Sequence, residues 1–237
     1  MLDTRKKKIL ESLIKEYTKT AEPVGSLYLL KKYDFGISGA TMRNELSLLE
    51  KQGYLYHPYT SSGRVPTDKG YRYFVESLMK KRNLSKNEQS LIQQELLKLR
   101  VKNTRLARTT AKLLAAFSKN LAISGLIEEE EYFQSGIRDF LSQPEFTKVD
   151  EVCKAVEMLD YLDENVDKLL SSLQSGETRT LIGRENPLAK TEGCSLVVSK
   201  IRFPQGHSGL LAIMGPKRMN YDKNISLIDY VSKILET

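Results

Sequence analysis

The stretch from Ser38 to Gly53, SGATMRNELSLLEKQG, admits few folds. Serine is a preferred helix N-cap, and glycine is the preferred residue just past a helix end. Between them Met42, Leu46, Leu49 and Gly53 recur with a spacing that puts them on one buried stripe. At about 100° per residue the opposite face carries Ala40, Asn44, Ser47 and Lys51, with Arg43 on its flank. Gly39 and Ala40 keep the N-terminal end slim. Such an end, followed by Arg and Asn, suits the major groove of DNA. Arg can bond guanine O6 and N7 together, and Asn can do the same with adenine N6 and N7. A solvated surface helix would carry the same residue types, so its neighbours decide what it means.

Upstream, Asp3 or Thr4 can cap a first helix with Ile9, Leu13, Ile14 and Tyr17 on one face. TAEPVGS breaks it, and Pro23 suits the first turn of a second helix carrying Val24, Leu27 and Leu30 inward. YDFGIS breaks that one. Two short helices and a tight turn before the third make the helix-turn-helix arrangement. Downstream, YLYHPY reads as a strand, TSSG as a turn and GRVP as the returning strand, which together make a wing. Its hydroxyls, from Thr60, Ser61 and Ser62, can donate to phosphate oxygens; Gly63 lets the backbone approach, and Arg64 supplies charge. Thr67 then caps a fourth helix with Tyr71, Phe74, Val75, Leu78 and Met79 toward the core. Lys69, Arg72 and the run Lys80, Lys81, Arg82 stay outside; that run is either a contact surface or a solvated helix end that complements the helix dipole. The candidate DNA-binding residues are Ser38, Ala40, Thr41, Arg43, Asn44, Ser47 and Lys51 on the helix, and Thr60, Ser61, Ser62, Arg64, Lys69 and Arg72 beyond it.

Charge agrees with that placement. The chain of 237 residues has a formal net charge of +7, and residues 1–85 hold 16 Lys+Arg against 9 Asp+Glu, so the rest is balanced. Such asymmetry favours a polyanion-binding module joined to a neutral one. The two cysteines and two histidines lie far apart, with no metal-ligand or redox spacing, so neither a metal site nor a disulfide framework is expected. No apolar run approaches the roughly 20 residues that span a bilayer, and Glu11, Ser12 and Lys15 interrupt any signal-peptide pattern after Lys6 to Lys8. The expectation is a reduced cytoplasmic protein without cofactor, metal or membrane partner.

The motifs EPVGS, SGATMRNEL, LEKQGYL and TSSGRVPTDKGYRYFV, in consecutive order across residues 1–84, resemble the N-terminal region of the heat-inducible transcription repressor HrcA family. GIRDFLSQPEF, IGRENP and MGPKRMNYDK extend the resemblance toward the C-terminus. The resemblance implies a winged-helix repressor of heat-shock chaperone genes, dimeric on an inverted-repeat operator of double-stranded DNA, with activity linked to the GroEL chaperonin. It also implies a GAF-like regulatory domain. The expected division is 1–84, a winged helix-turn-helix DNA-binding domain, and 85–237, a linker helix with a GAF-like regulatory and dimerisation domain.

Residues 85–237 read as α+β. Ser85 and Glu88 form a capping-box pattern. Ile92, Leu96, Leu99, Asn103, Leu106, Thr110, Leu113 and Phe117 follow heptad spacing, which fits a coiled-coil seam with Asn103 fixing register, or helices packed on their own domain. EEEEYF reads as solvated surface, Val149 to Leu173 as helix hinged at Asp163, and TRTLIG, CSLVVSKIRF and SGLLAIMG as strands. A last helix turns Ile225, Ile228, Val231 and Leu235 inward. Gly215, Lys217 and Arg218 before it could cradle an anion, although a strand-to-helix corner is the favoured reading, and Glu185 and Asn186 read as structural. Compared with the family, the segment AISGLIEEEEYFQSG is short, which predicts a trimmed sheet without the inserted dimerising segment.

The competing readings are a non-specific or architectural DNA-binding protein and a small-molecule-sensing winged-helix regulator. An enzyme is not expected, since no nucleophile–base pair, phosphate loop or metal spacing is present.

Overall fold

The computed structural model describes residues 2–59, 62–80, 82–97, 103–147, 149, 150, 152, 153, 155–157, 165, 166, 170, 173, 174, 176–186 and 193–236. Helices and sheets are mixed in an α+β fold that divides into two units, Met1–Lys80 and Lys81–Thr237.

In the first unit, helix α1 (Thr4–Thr20) is capped by Asp3, whose carboxylate accepts from the Lys6 amide, and ends where Ala21 turns left-handed at φ 57°. Ile9, Leu10, Leu13 and Ile14 are buried along it. Helix α2 (Ser26–Lys32) corrects the expectation for Pro23. The helix begins later, after Gly25, and Val24 is extended instead of helical. Its backbone pairs antiparallel with Arg64, Val24 N–H to Arg64 O at 3.0 Å and Arg64 N–H to Val24 O at 2.9 Å. That shift rephases the helix: Leu29 is buried, Leu30 half-buried, and Leu27 is left 72% exposed.

Helix α3 (Gly39–Lys51) follows the sequence closely. Ser38 caps it by accepting from the Thr41 amide, Met42, Leu46 and Leu49 are fully buried, and Gly53 lies just past the end at φ 77°. Strands β1 (Leu55–Tyr56) and β2 (Val65–Pro66) pair antiparallel, Leu55 opposite Pro66 and Tyr56 opposite Val65. Pro66 is tolerated because this ladder is short and open at its edge. Thr67 caps helix α4 (Asp68–Tyr73), which runs on through a π-type turn at Phe74–Leu78. Tyr71 and Phe74 are buried there, whereas Val75, Leu78 and Met79 are only half-buried.

The second unit opens with a reciprocal capping box. Ser85 donates its amide and hydroxyl to Glu88 Oε2, both at 2.8 Å, and the Glu88 amide returns to Ser85 Oγ at 3.2 Å. Helices α5 (Lys86–Leu97) and α6 (Asn103–Ser118) follow. A sheet of five antiparallel strands comes next: β3 (Leu121–Leu126), β4 (Glu131–Ser135), β5 (Thr178–Ile182), β6 (Cys194–Arg202) and β7 (Ser208–Pro216), in the order β4-β3-β7-β6-β5. Short helix α7 (Ile137–Leu141) follows β4, and helix α8 (Tyr221–Leu235) ends the unit.

Side chains alternate between the two faces of a sheet. On one face Leu121, Ile123, Leu196, Val198, Ala212 and Met214 pack with Phe140, Val166 and Leu170. The other face meets α6 and α8, and there Tyr221 donates to Ser195 Oγ at 2.7 Å.

Two expectations change, and one open alternative is decided. The four glutamates from Glu128 to Glu131 are exposed, but they form and leave the turn of a β3–β4 hairpin, so the sheet has two strands more than its sequence predicts. A non-glycine left-handed residue, Glu130 at φ 51°, makes that turn. The heptad pattern belongs to helices packed on their own unit: Leu106 and Thr110 are buried toward the sheet, and Asn103 Nδ2 donates to Pro204 O at 3.1 Å. In α8, Asn224 and Leu227 are buried while Ile225 is half-buried. Leu99, Lys81 and Asp163 lie outside the described residues.

Candidate nucleic-acid interface

The open face of α3 is set by what holds its flanks. Ala40, Arg43, Asn44 and Lys51 are exposed and Ser47 is half-buried. Among the described residues the side chains of Arg43, Asn44, Ser47 and Lys51 have no hydrogen-bond or ionic partner. A polar row left unpaired at the centre of a well-packed unit is available to an outside partner.

Each flank carries a carboxylate tied to cations from elsewhere in the unit. Glu50 accepts from Arg64 Nε at 3.2 Å and lies 3.7 Å from His57 Nε2, which fastens the wing to α3. Glu45 lies 3.4 Å from Arg5 and 3.3 Å from Lys6, which fastens the start of α1 to the other flank. At about 100° per residue these two carboxylates fall on opposite sides of the exposed arc centred near Asn44 and Ser47.

The remaining candidates divide by how far the protein already uses them. Ser38 Oγ and Thr41 Oγ1 bond each other at 3.0 Å within the cap. Ser62 Oγ donates to Tyr59 O at 2.8 Å and accepts from the Tyr59 amide at 3.1 Å, so its hydroxyl closes the wing turn. Arg64, expected as the wing's charge toward phosphate, has a side chain only 14% exposed and is turned to Glu50. Gly63 has a different purpose from the one expected: a Cβ there would lie 2.4–2.5 Å from the backbone of Pro23 and Val24. Lys69 donates to Gln52 O at 2.8 Å and sits 4.7 Å from the centre of the Tyr54 ring, where it complements the C-terminal end of α3. Arg72 lies 3.8 Å from Glu76. Thr60 and Ser61 lie outside the described residues.

One organising residue carries no sequence signal as a site. Glu16 on α1 is fully buried and accepts from Lys32 Nζ at 2.5 Å, Tyr33 OH at 2.7 Å and Tyr28 OH at 2.8 Å. Burial pushes its carboxyl up, but the hydrogen bonds from Lys32, Tyr33 and Tyr28, with Lys19 nearby, outweigh burial and hold the pKa at about 2. The same contact raises Lys32, and burial together with Glu16 raises Tyr33 to about 12. This hub locks α2 and the start of the turn against α1. In the sequence, a glutamate four residues before a threonine looks like an ordinary surface acid, and nothing local sets it apart.

In the second unit the possible anion cradle is a corner. Arg218 binds Glu145 through Nε at 2.6 Å and through Nη2 at 3.0 Å, and also donates to Gln143 Oε1 at 2.8 Å. Gly215 is small because Asn120 Oδ1 would lie 2.3 Å from a Cβ there. Glu185 Oε2 accepts from the Ile182 amide at 2.9 Å, a structural use. Cys194 is buried, which pushes its thiol up to about 12. Among the described residues no group of His, Cys, Asp and Glu could hold a metal ion, and no helix is long and apolar enough to cross a membrane.

Residues 69–225 match the family model described as HrcA protein C terminal domain. A protein of Carboxydothermus hydrogenoformans named heat-inducible transcription repressor HrcA is 28% identical, with 99% of this chain and 97% of the relative aligned. That alignment extends over 335 residues, so long stretches of the relative face gaps in this shorter chain. The protein of the same name from Symbiobacterium thermophilum is 46% identical over 136 residues, which cover 56% of this chain and 40% of the relative. A crystal structure of a protein described as hypothetical superposes with a TM-score of 0.77 at 20% identity, covering 100% of this chain and 98% of its own, and shares the fold.

Proposed function

The chain belongs to the HrcA family, and on that premise we propose that it is a transcription repressor of heat-inducible genes that reads an inverted-repeat operator as a dimer. In this reading the first unit is a winged helix-turn-helix, α2 and α3 being the helix pair and β1–β2 the wing. The second unit is a GAF-like regulatory and dimerisation domain, which the five-stranded antiparallel sheet with helices on both faces supports. The relatives' shared name supports the repressor role, and the reading carries a cytoplasmic location and no catalysis with it.

The observation that carries the proposal is the unpaired face of α3. Ala40 leaves room at the slim end, Arg43 and Asn44 offer two base-reading side chains, and among the described residues nothing claims them. Arg43 reads guanine and Asn44 reads adenine in the major groove. Dimerisation follows from reach, since one such module covers few base pairs and paired half-sites supply the remaining interface.

The test is selection of bound fragments from a random duplex pool by the full chain, followed by affinities for selected and scrambled duplexes. A two-fold symmetric selected sequence, bound about 10³-fold or more above scrambled DNA, is expected. Arg43→Ala or Asn44→Ala should reduce that preference by ~1–3 kcal/mol. Equal binding to selected and scrambled duplexes would make the protein an architectural binder instead.

A further inference from the structure

We propose that the start of α1, through Arg5 and Lys8, is a second DNA-backbone contact surface, lying on the flank of α3 opposite the wing. The proposal rests on the DNA-binding reading and deepens it by assigning the phosphate contacts.

Arg64, the cation expected to carry the wing's charge, has a side chain only 14% exposed and is engaged by Glu50. Lys69 gives one of its three donors to the Gln52 carbonyl, and Arg72 lies 3.8 Å from Glu76. Four further cations in a row, Arg5 to Lys8, begin α1.

Their placement is determined by α3 itself. Lys6 is drawn inward, its ammonium between Asp3 and Glu45. Arg5 touches Glu45 through one nitrogen at 3.4 Å while its side chain stays 54% exposed. The other guanidinium donors have no partner among the described residues. Lys8 is exposed and reaches the α2–α3 turn, with Nζ 3.0 Å from Asp34 O and 5.5 Å from the centre of the Phe35 ring. An ammonium has three donors, so one bond to a carbonyl leaves it able to bind phosphate. Lys7 is half-buried and lies about 200° around α1 from Arg5, off this surface.

The two flanks are therefore unlike. On the wing side a buried guanidinium neutralises the carboxylate, and the contact holds structure. On the α1 side Glu45 holds Arg5 and Lys6, Arg5 stays largely exposed, and Lys8 stands at the α2–α3 turn. A duplex seated on Arg43 and Asn44 runs its backbone past both flanks, and the α1 flank presents Arg5 and Lys8 with donors to spare.

Phosphate contacts are independent of sequence, so the full chain can be tested on a mixed-sequence duplex a few helical turns long, with affinity followed across a salt series. Removing one phosphate contact should lower the slope of log K against log salt by ~0.9. Arg5→Gln/Lys8→Gln should lower it by about 2 per protomer. Lys8→Gln, which leaves both Glu45 ion pairs intact, should lower it by about 1 per protomer, and Arg64→Gln should leave it unchanged. A wild-type slope in Lys8→Gln overturns the proposal, and a reduced slope in Arg64→Gln returns the backbone contacts to the wing. Failure of the wild-type chain to bind the duplex at all overturns the DNA-binding reading itself, a different result.

Discussion

Val24 and Arg64 are joined by two backbone hydrogen bonds of 3.0 and 2.9 Å, across 40 residues of chain. Val24, two residues before α2, thereby makes an isolated antiparallel bridge beside the β1–β2 pair. The crossing is close enough that only glycine fits next to it, at Gly63, and it dictates where α2 can begin. The wing and the entry to the helix pair are one piece of structure.

Gly63→Ala should therefore destabilise the first unit. The added methyl group would meet main-chain atoms at 2.4–2.5 Å, and backbone cannot rotate away as a side chain can. Forced overpacking of this kind costs ~1–3 kcal/mol. Denaturant unfolding followed by a probe within residues 1–80 should show the loss, and an unchanged midpoint would mean the crossing yields without cost.

Arg64 and Glu50 should be coupled energetically. Each single alanine substitution should lower stability, and the double substitution should cost less than their sum by ~1 kcal/mol, since the pair is partly buried and well aligned. Additive losses in the cycle would show that the contact contributes nothing.

Glu16 should make the first unit acid-sensitive in a defined window. Its carboxyl ionises near pH 2 when folded, against an ordinary value of 4.5, so the unfolded chain binds this proton more tightly. The stabilisation is complete above about pH 4.5 and disappears as pH falls toward 2, amounting to roughly 3 kcal/mol. Glu16→Gln should remove that dependence and also destabilise the unit at neutral pH, because Tyr28, Tyr33 and Lys32 lose the carboxylate that accepts from all three. Urea titrations at pH 7, 4 and 2.5 on both proteins check it, and parallel pH profiles would refute it.

Asn224 should be a position where stability can be gained. Its side chain is fully buried on α8, and neither amide atom has a hydrogen-bond partner among the described residues. An orphaned buried amide costs ~1–3 kcal/mol, so Asn224→Leu, which keeps the branched shape without the polar atoms, should raise the unfolding midpoint of the second unit. A lowered midpoint would indicate that the polar group is satisfied by bound water.

What is legible in the sequence follows from range. Caps and periodicities act within a turn or two of chain, so Asp3, Ser38, Gly53, Thr67 and the Ser85–Glu88 box are readable, as is the stripe of Met42, Leu46 and Leu49. Pairings across distance are not. Nothing local tells Val24 that Arg64 will lie beside it, or Glu16 that Tyr33 and Lys32 will close over it. The β3–β4 hairpin is hidden because its turn uses Glu130 where glycine or asparagine would have signalled it. In the first unit, residue type locates the cations but not their direction, and Arg64 and Lys69 face the protein they belong to.

The tie between Val24 and Arg64 also makes the first unit behave like a caliper with its jaws soldered. The β1–β2 pair is held to α3 by Glu50 on one side and to the chain entering α2 on the other. On the proposed DNA-binding reading, a duplex whose groove width does not match would have to bend or twist to fit, at a cost that depends on its own stiffness. Base steps that no side chain touches would then count toward target choice, through the mechanics of the DNA.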